Sequence, residues 1–474
     1  MNAPHTISSA PGPGSGSPYA DTSFWMQTAD DDLTPRPALK GDLVVDVAIM
    51  GGGYSGLWTA YYLLLDNPAL EVAVIERDIC GFGASGRNGG WCSSRYPLYP
   101  ETLERRFGPE LARRTLLEMF DAVEEIGRIC EREGIDAHYR NTGILSVARG
   151  RDQLPAIQAA HAAYARLGLD DRNLLIGPEA ARERINVTKL EGALYTPVSA
   201  SVHPARLARG LARAVERRGG VIYEQSAVTG ITRGPRPALS TASGRVQARR
   251  AVVTAGEAYL PQLAPFRRSR LPMSSMIVLT APLTAAQWDE IGWAQGESLG
   301  SQAHTVDYLT KTLDGRILYG SRGAPYHWGS RLDETRDREA IGWMQEAVVN
   351  WFPSLRGVEF THAWGGYLGV SRDWSPGVTF DPATRLGNLG GYTGRGVSTS
   401  NLSARLLAGL ITGRETGLET LPLAQHQPPA WEPEPFRWLG VRYVQDAFRR
   451  IDQAAEDGRP PPFDTAFAHQ LSEQ

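Results

Sequence analysis

Lysine and cysteine are the scarce side chains of this 474-residue protein. Its only lysines are Lys40, Lys189 and Lys311, so nearly all positive charge is arginine. The three cysteines, Cys80, Cys92 and Cys130, are an odd count in a long chain, which argues against a disulfide framework and for a reducing compartment. Their spacing matches no zinc pattern, so no metal site is expected. No apolar run approaches the ~20 residues that a membrane helix needs. The first residues lack a basic stretch followed by an apolar one, so no secretory signal is read and a cytoplasmic protein is expected. An excess of one charge is missing as well. A net charge of −3 calls for neither a nucleic-acid nor a membrane-surface partner. With 42% hydrophobic and 21% charged residues the composition is that of a globular protein. The length exceeds what one core usually holds, and two intimately joined domains are expected.

Glycine is abundant, and its placement carries the most information. Val44 to Met50 is an apolar run typical of a buried parallel strand. It breaks at Gly51-Gly52-Gly53 and passes into a helical pattern from Ser55 through Leu65. Gly51, Gly53 and Gly56 fit G-x-G-x-x-G: the first allows a tight turn, the second lets backbone approach a pyrophosphate, and the third lets helix and strand pack closely. The helix start, with Tyr54 and Ser55, offers free N–H groups and the positive end of a dipole. A second strand, Val72 to Glu76, ends on an acid 20 residues beyond Gly56, followed by Arg77. There a carboxylate accepts hydrogen bonds from an adenosine ribose. These features predict a dinucleotide site.

A second formal match, Gly81, Gly83 and Gly86, opens no helix. It lies in Cys80-Gly-Phe-Gly-Ala-Ser-Gly-Arg-Asn-Gly-Gly-Trp-Cys92 and reads as a loop against a ligand. Ala84, Ser85, Gly89 and Gly90 keep its backbone bare, while Arg87 and Asn88 bring donors. Further on, Ala251 to Gly256 reads as a buried strand returning to the first sheet, after the strand at Ala227 to Ile231. His203 precedes a helix and reads as a hydrogen-bonded structural residue. Leu386 to Ser400 repeats the design of strand, glycine-rich turn and helix, so a second helix start faces an electron-rich group. The expected organisation is a disordered tail (1–20), a discontinuous Rossmann-type α/β domain (44–100, 190–256 and 371–415), and a second α+β domain (101–189 and 257–370) with a mainly antiparallel sheet. A helix is expected from Asp333 to Phe352, and a terminal packing helix within 430–456. Phe24-Trp25 reads as an arm docking on the body.

With these motifs in place, residues 45–415 resemble the glycine oxidase/D-amino-acid oxidase superfamily of FAD-dependent oxidoreductases. Phe82 to Gly90 and Gly390 to Val397 are most similar to the γ-glutamylputrescine oxidase-type branch, and Trp364 to Pro376 is similar to the strand these enzymes run past the flavin. The resemblance implies an extended FAD between the two domains. Gly51, Gly53, Tyr54, Ser55 and Gly56 would surround its pyrophosphate, Glu76 and Arg77 its adenosine ribose, and Val228 its adenine. Gly83, Ala84, Ser85, Asn88, Gly89, Gly90 and Trp91 would lie along the ribityl chain and ring, with Ala255 and Gly256 beside them. Gly394, Gly396, Val397 and Ser398 would meet the N1–C2=O end. Tyr392, Arg322 and Tyr308 would line the substrate pocket, although many members carry His where Tyr392 stands. The implied reaction is hydride transfer from an amine or amino acid to flavin N5, hydrolysis of the imine by water, and reoxidation by molecular oxygen to peroxide. No general base is required, and the chain shows no Ser/His/Asp or paired-carboxylate constellation. An amine dehydrogenase with another acceptor, a flavin monooxygenase or reductase, and a non-catalytic flavin scaffold are the competing readings. Covalent flavin attachment through Cys92 is a further alternative.

Overall fold

Two eight-stranded sheets organise the protein. The computed structural model describes residues 17–322, 325–332 and 337–472. Strand Leu43–Met50 is central to the first sheet and pairs in parallel with Val72–Ile75 and Arg245–Thr254. Val221–Tyr223 extends the parallel set on one side, and Leu386–Gly390 adds to Arg245–Thr254 on the other. Val47, Ala48 and Ile49 are fully buried: Val47 and Ile49 join the core that holds helix Tyr54–Asp66, and Ala48 joins one built from strand and loop residues, among them Leu39, Leu239 and Val246. Helix Tyr54–Asp66 is buried from Tyr54 to Leu64. It shares one core with helix Gly396–Thr412, where Asn401 Nδ2 donates to the Tyr62 hydroxyl at 2.8 Å.

The second sheet runs Phe360–Val370, Leu271–Thr280, Ile317–Ser321, Asp307–Lys311, Ser298–Gly300, Ile144–Arg149, Leu190–Thr196 and Leu174–Ile176. Its pairings are antiparallel, save the parallel contact of Ser298–Gly300 with Ile144–Arg149. One face is covered by helix Arg338–Trp351, whose Met344, Val348 and Trp351 join the sheet's core. The fold is therefore the expected α/β dinucleotide-binding layer joined to an α+β layer with a mainly antiparallel sheet.

Several sequence-based boundaries move. Leu190–Thr196 belongs to the second sheet, paired with Ile144–Arg149, so the chain re-enters the first layer only with helix Pro204–Arg217. Helix Pro109–Glu133 packs Met119, Ala122, Val123 and Ile126 into the core of the first layer. An amphipathic pattern shows that a face is buried but not which sheet buries it. The tail of residues 1–16 lies outside the described residues. Tyr19 and Ala20, expected to be disordered, are placed: Tyr19 meets the Phe82 ring edge-on at 6.0 Å, and Ala20 is buried. The arm docks as anticipated, with Phe24, Trp25 and Met26 buried and Trp25 Nε1 donating to Asn88 O at 2.8 Å. Residues 333–336 of the helix expected from Asp333 also lie outside the described residues. Asp337 caps its observed start by accepting from Glu339 N and Ala340 N.

Candidate active site

The first glycine turn is shaped by its own backbone. Gly51 has φ +107°, and a Cβ there would lie 2.7 Å from Ala255 O. A Cβ on Gly56 would lie 1.9 Å from Gly51 O, which no side chain tolerates. Gly53 precedes the helix, and its missing Cβ leaves Ser85 Oγ 3.0 Å from where that atom would stand. Ser85 Oγ accepts from Tyr54 N at 2.9 Å, so the second glycine loop meets the helix start. At the end of the adjacent strand, Glu76 accepts from Gly52 N at 2.6 Å and from Asp78 N at 2.9 Å. Burial pushes its carboxyl above the ordinary range despite these bonds.

From this turn a cavity of about 1060 Å³ extends along the junction of the two layers. Its wall carries Glu76, Arg77 and Val228 together with Gly51, Gly53, Tyr54 and Ser55. It also carries Gly83, Ala84, Ser85, Asn88, Gly89 and Trp91, beside Ala255 and Gly256. Tyr308, Arg322, Gly394, Gly396 and Val397 complete the expected lining. The loop between Gly83 and Trp91 contains only a single 3-10 turn, Ala84–Gly86, before strand Trp91–Cys92. Asn88 stabilises that loop from within: its Nδ2 donates to Ala84 O at 3.1 Å and its Oδ1 accepts from Gly90 N at 2.8 Å. Its amide hydrogen bonds thus stay inside the loop. Arg87 is likewise turned back, with Nε donating to Phe82 O at 2.8 Å and its guanidinium 4.5 Å from the Phe82 ring centre.

Tyr308 lies in the space left by two glycines. A Cβ on Gly89 would stand 2.4 Å from its ring, and one on Gly320 would stand 2.0 Å from it. Its hydroxyl is 3.0 Å from Ser275 Oγ, and burial pushes the phenol up to about 12. Trp91 meets Tyr308 edge-on and donates from Nε1 to Leu309 O at 3.1 Å. Arg322, just past strand Ile317–Ser321, donates to Thr393 O at 3.1 Å and lies 5.5 Å from the Trp374 ring centre. Burial pulls its guanidinium down to about 10, so it remains cationic at neutral pH.

Four expected site residues play other parts. The Tyr392 side chain is buried, with its hydroxyl 2.9 Å from Ser55 Oγ. Through that contact it braces the second glycine turn against the first, while it also lines the cavity. Burial, reinforced by the Glu257 carboxylate, drives its phenol well above the usual range. Ser398 turns its hydroxyl to Ser93 O. Gly90 is pressed against Val202 O, 2.6 Å from a notional Cβ. Gly56 serves helix packing. The last three do not line the cavity. Cys92 does not line it either: it is fully buried, and its thiol is pushed up by that burial. That position does not suit covalent flavin attachment. His203 caps helix Pro204–Arg217, accepting from Arg206 N at 3.3 Å, as expected.

The cradle fits FAD. A helix start stripped of Cβ atoms, an acid held at the end of the neighbouring strand, and a long cavity lined by both layers form one continuous site. A family profile described as DAO, FAD dependent oxidoreductase, matches residues 46–410. The chain belongs to this family. Like its relatives, this FAD dependent oxidoreductase is an enzyme with FAD as cofactor. It is similar to gamma-glutamylputrescine oxidoreductase of Escherichia coli K12, 30% identical over 413 residues, covering 86% of this chain and 93% of that protein. It is also similar to glycine oxidase of Geobacillus kaustophilus, 24% identical, covering 80% of this chain and 96% of that one. The crystal structure of glycine oxidase from that organism superposes with a TM-score of 0.69 at 22% sequence identity, covering 82% of this chain and 100% of the other. L-proline dehydrogenase from P.horikoshii shares the fold at a TM-score of 0.66 and 20% identity, covering 81% and 96%.

Sequence reasoning missed several groups in the oxidoreductase site. Glu257 accepts from Gly391 N at 3.0 Å and Tyr392 N at 3.3 Å, and is paired with Arg270 at 3.3 Å. Its position after Gly256 was the available signal. Arg95 and Arg395 line the cavity. Helix Phe436–Glu456, expected only to pack, also reaches the wall with Ile451, Asp452 and Ala455. Asp452 there accepts from His304 N at 2.9 Å and Thr305 N at 2.7 Å. Among the described residues no group of three or more His, Cys, Asp or Glu could hold a metal ion, and no helix is long and apolar enough to cross a membrane.

Proposed function

We propose that this enzyme oxidises the C–N bond of a small amine or amino acid and passes the electrons to molecular oxygen, releasing hydrogen peroxide. The carrying observation is the single cavity that joins the dinucleotide cradle to Tyr308 and Arg322. FAD, when bound, supplies the two-electron acceptor. Gly51, Gly53 and the N–H groups of the helix start would hold its pyrophosphate, and Glu76 its adenosine ribose. The start of helix Gly396–Thr412 would face the end of the ring system where negative charge grows on reduction, stabilising it with pre-aligned dipoles.

The remaining work is positioning. Arg322 binds the substrate carboxylate with guanidinium donors still available beyond Thr393 O. Tyr308 stays protonated at working pH, packs against Gly89, and closes one side against water. The relatives' names support a small amine or amino acid as substrate. The second glycine signature continues into one 3-10 turn and a short strand, which disfavours a second dinucleotide fold and with it the NAD(P)H-driven reading. The test is anaerobic bleaching of the purified holoenzyme by γ-glutamyl amines, polyamines and amino acids, followed by peroxide measurement in air. Bleaching with stoichiometric peroxide is expected. Bleaching without peroxide would replace oxygen by another acceptor, and a flavin that no amine bleaches would end the proposal.

A further inference from the structure

Among the arginines that line the cavity are three from distant parts of the chain, Arg95, Arg322 and Arg395. Arg95 follows strand Trp91–Cys92, Arg322 follows Ile317–Ser321, and Arg395 precedes helix Gly396–Thr412. Each is committed to a neutral oxygen. Arg95 donates to Ser146 Oγ, Arg322 to Thr393 O, and Arg395 to Tyr96 O. None forms a salt bridge with a described carboxylate, although most other arginines of the protein have one. A guanidinium offers five N–H donors, so each keeps donors for a ligand. Asp307 and Asp452, acids elsewhere on the wall, are engaged by Ser301 and by His304 and Thr305.

Arg395 is close enough to act on each of the other two cations. Arg395 disfavours the charged form of both Arg95 and Arg322, adding to the larger effect of burial. Confining like charges in a half-buried cavity is costly unless anions enter it. One substrate carboxylate at Arg322 leaves two guanidinium groups without an anionic partner.

We propose that the substrate is an amine bearing two acidic groups: one at Arg322 and a second, more distant one between Arg95 and Arg395. The proposal rests on the amine-oxidation reading and narrows its substrate class to dicarboxylic amines. Arg395 is 5.6 Å from the Tyr99 ring centre, so an aromatic wall borders the second anion position.

The test uses holoenzyme and non-reacting probes, glutarate with two carboxylates and butyrate with one, titrated by calorimetry and by the flavin difference spectrum. Two charge-assisted contacts predict that glutarate binds at least roughly ten-fold tighter than butyrate. Arg95→Gln and Arg395→Gln should each weaken glutarate about ten-fold and butyrate by less than about three-fold, whereas Arg322→Gln should weaken both. Arg95→Lys should restore part of the glutarate affinity. FAD content and melting temperature are measured for each variant, and the wild-type comparison decides the matter if a variant fails to fold. Equal affinity for the two probes, or equal losses of both in Arg95→Gln, would overturn the proposal. Bleaching by monocarboxylic amines alone would also overturn it while leaving the proposed function standing. Selective glutarate binding without bleaching by any amine would do the reverse.

Discussion

Two glycine-rich turns lead into two buried helices, and they are held in different ways. At Gly51 and Gly56 the nearest obstacles to a side chain are backbone atoms of the same layer, Ala255 O and Gly51 O. At Gly390, Gly391 and Gly396 the nearest obstacles are side chains. A Cβ on Gly390 would meet Glu257 and Arg270 at 2.3 and 2.6 Å, one on Gly391 would meet Ser371 Oγ at 2.0 Å, and one on Gly396 would meet the Tyr392 ring at 3.2 Å. The first turn is a property of local strand–helix geometry. The second is enclosed by the side chains of Glu257, Arg270 and Tyr392. Backbone constraints yield little, whereas side chains can shift by a few tenths of an ångström, so the two turns should differ in tolerance.

Gly56→Ala is the harshest test of that contrast. Its added methyl meets a carbonyl oxygen that cannot retreat without opening the turn. Overpacking of this kind costs roughly 1–3 kcal/mol or more. A lower melting temperature and loss of bound flavin are expected, and a variant with wild-type melting and flavin content would show that the first turn is not rigid. Glu76→Ala should come next. Losing a charge-assisted contact of about 1.5–3 kcal/mol should weaken FAD roughly ten- to a hundred-fold, with turnover at saturating FAD little changed. Unchanged FAD affinity would place the ribose contact elsewhere.

Tyr392→Phe removes only the hydroxyl that joins the turns through Ser55. The loss of one buried hydrogen bond, about 0.5–1.5 kcal/mol, should lower FAD affinity several-fold and leave the substrate KM unchanged. A KM that rises more than FAD affinity falls would return Tyr392 to the substrate pocket. Gly396→Ala should have the smallest effect, below about 1 kcal/mol in the melting transition, because its methyl presses on a ring and not on backbone. A loss as large as that of Gly56→Ala would erase the distinction between the turns.

The first turn was legible because everything it needs is written within about thirty residues: an apolar strand, three spaced glycines, a helical pattern and a terminal acid. The antiparallel character of the second layer could be read from its β-rich segments, but the owner of Leu190–Thr196 could not. Alternating burial marks a strand without naming its partner. In the same way the amphipathic pattern of Pro109–Glu133 identified a buried face without identifying the layer that covers it.

Sequence by itself determined the cofactor class, since a dinucleotide cradle depends on local backbone conformation and on spacing along one strand–helix–strand unit. It also determined the second helix start and the presence of Tyr308 and Arg322 in β-rich segments. Tertiary structure alone decided what those residues do. It joined the Tyr392 hydroxyl to Ser55, sent the Ser398 hydroxyl to Ser93 O, and brought Asp452 from a terminal helix to the cavity wall. It also gathered Arg95, Arg322 and Arg395, from three separate parts of the chain, around one space. The physical reason is that charge complementarity depends on distance in three dimensions, and in an arginine-rich chain no local pattern distinguishes a guanidinium paired on the surface from one that lines a cavity.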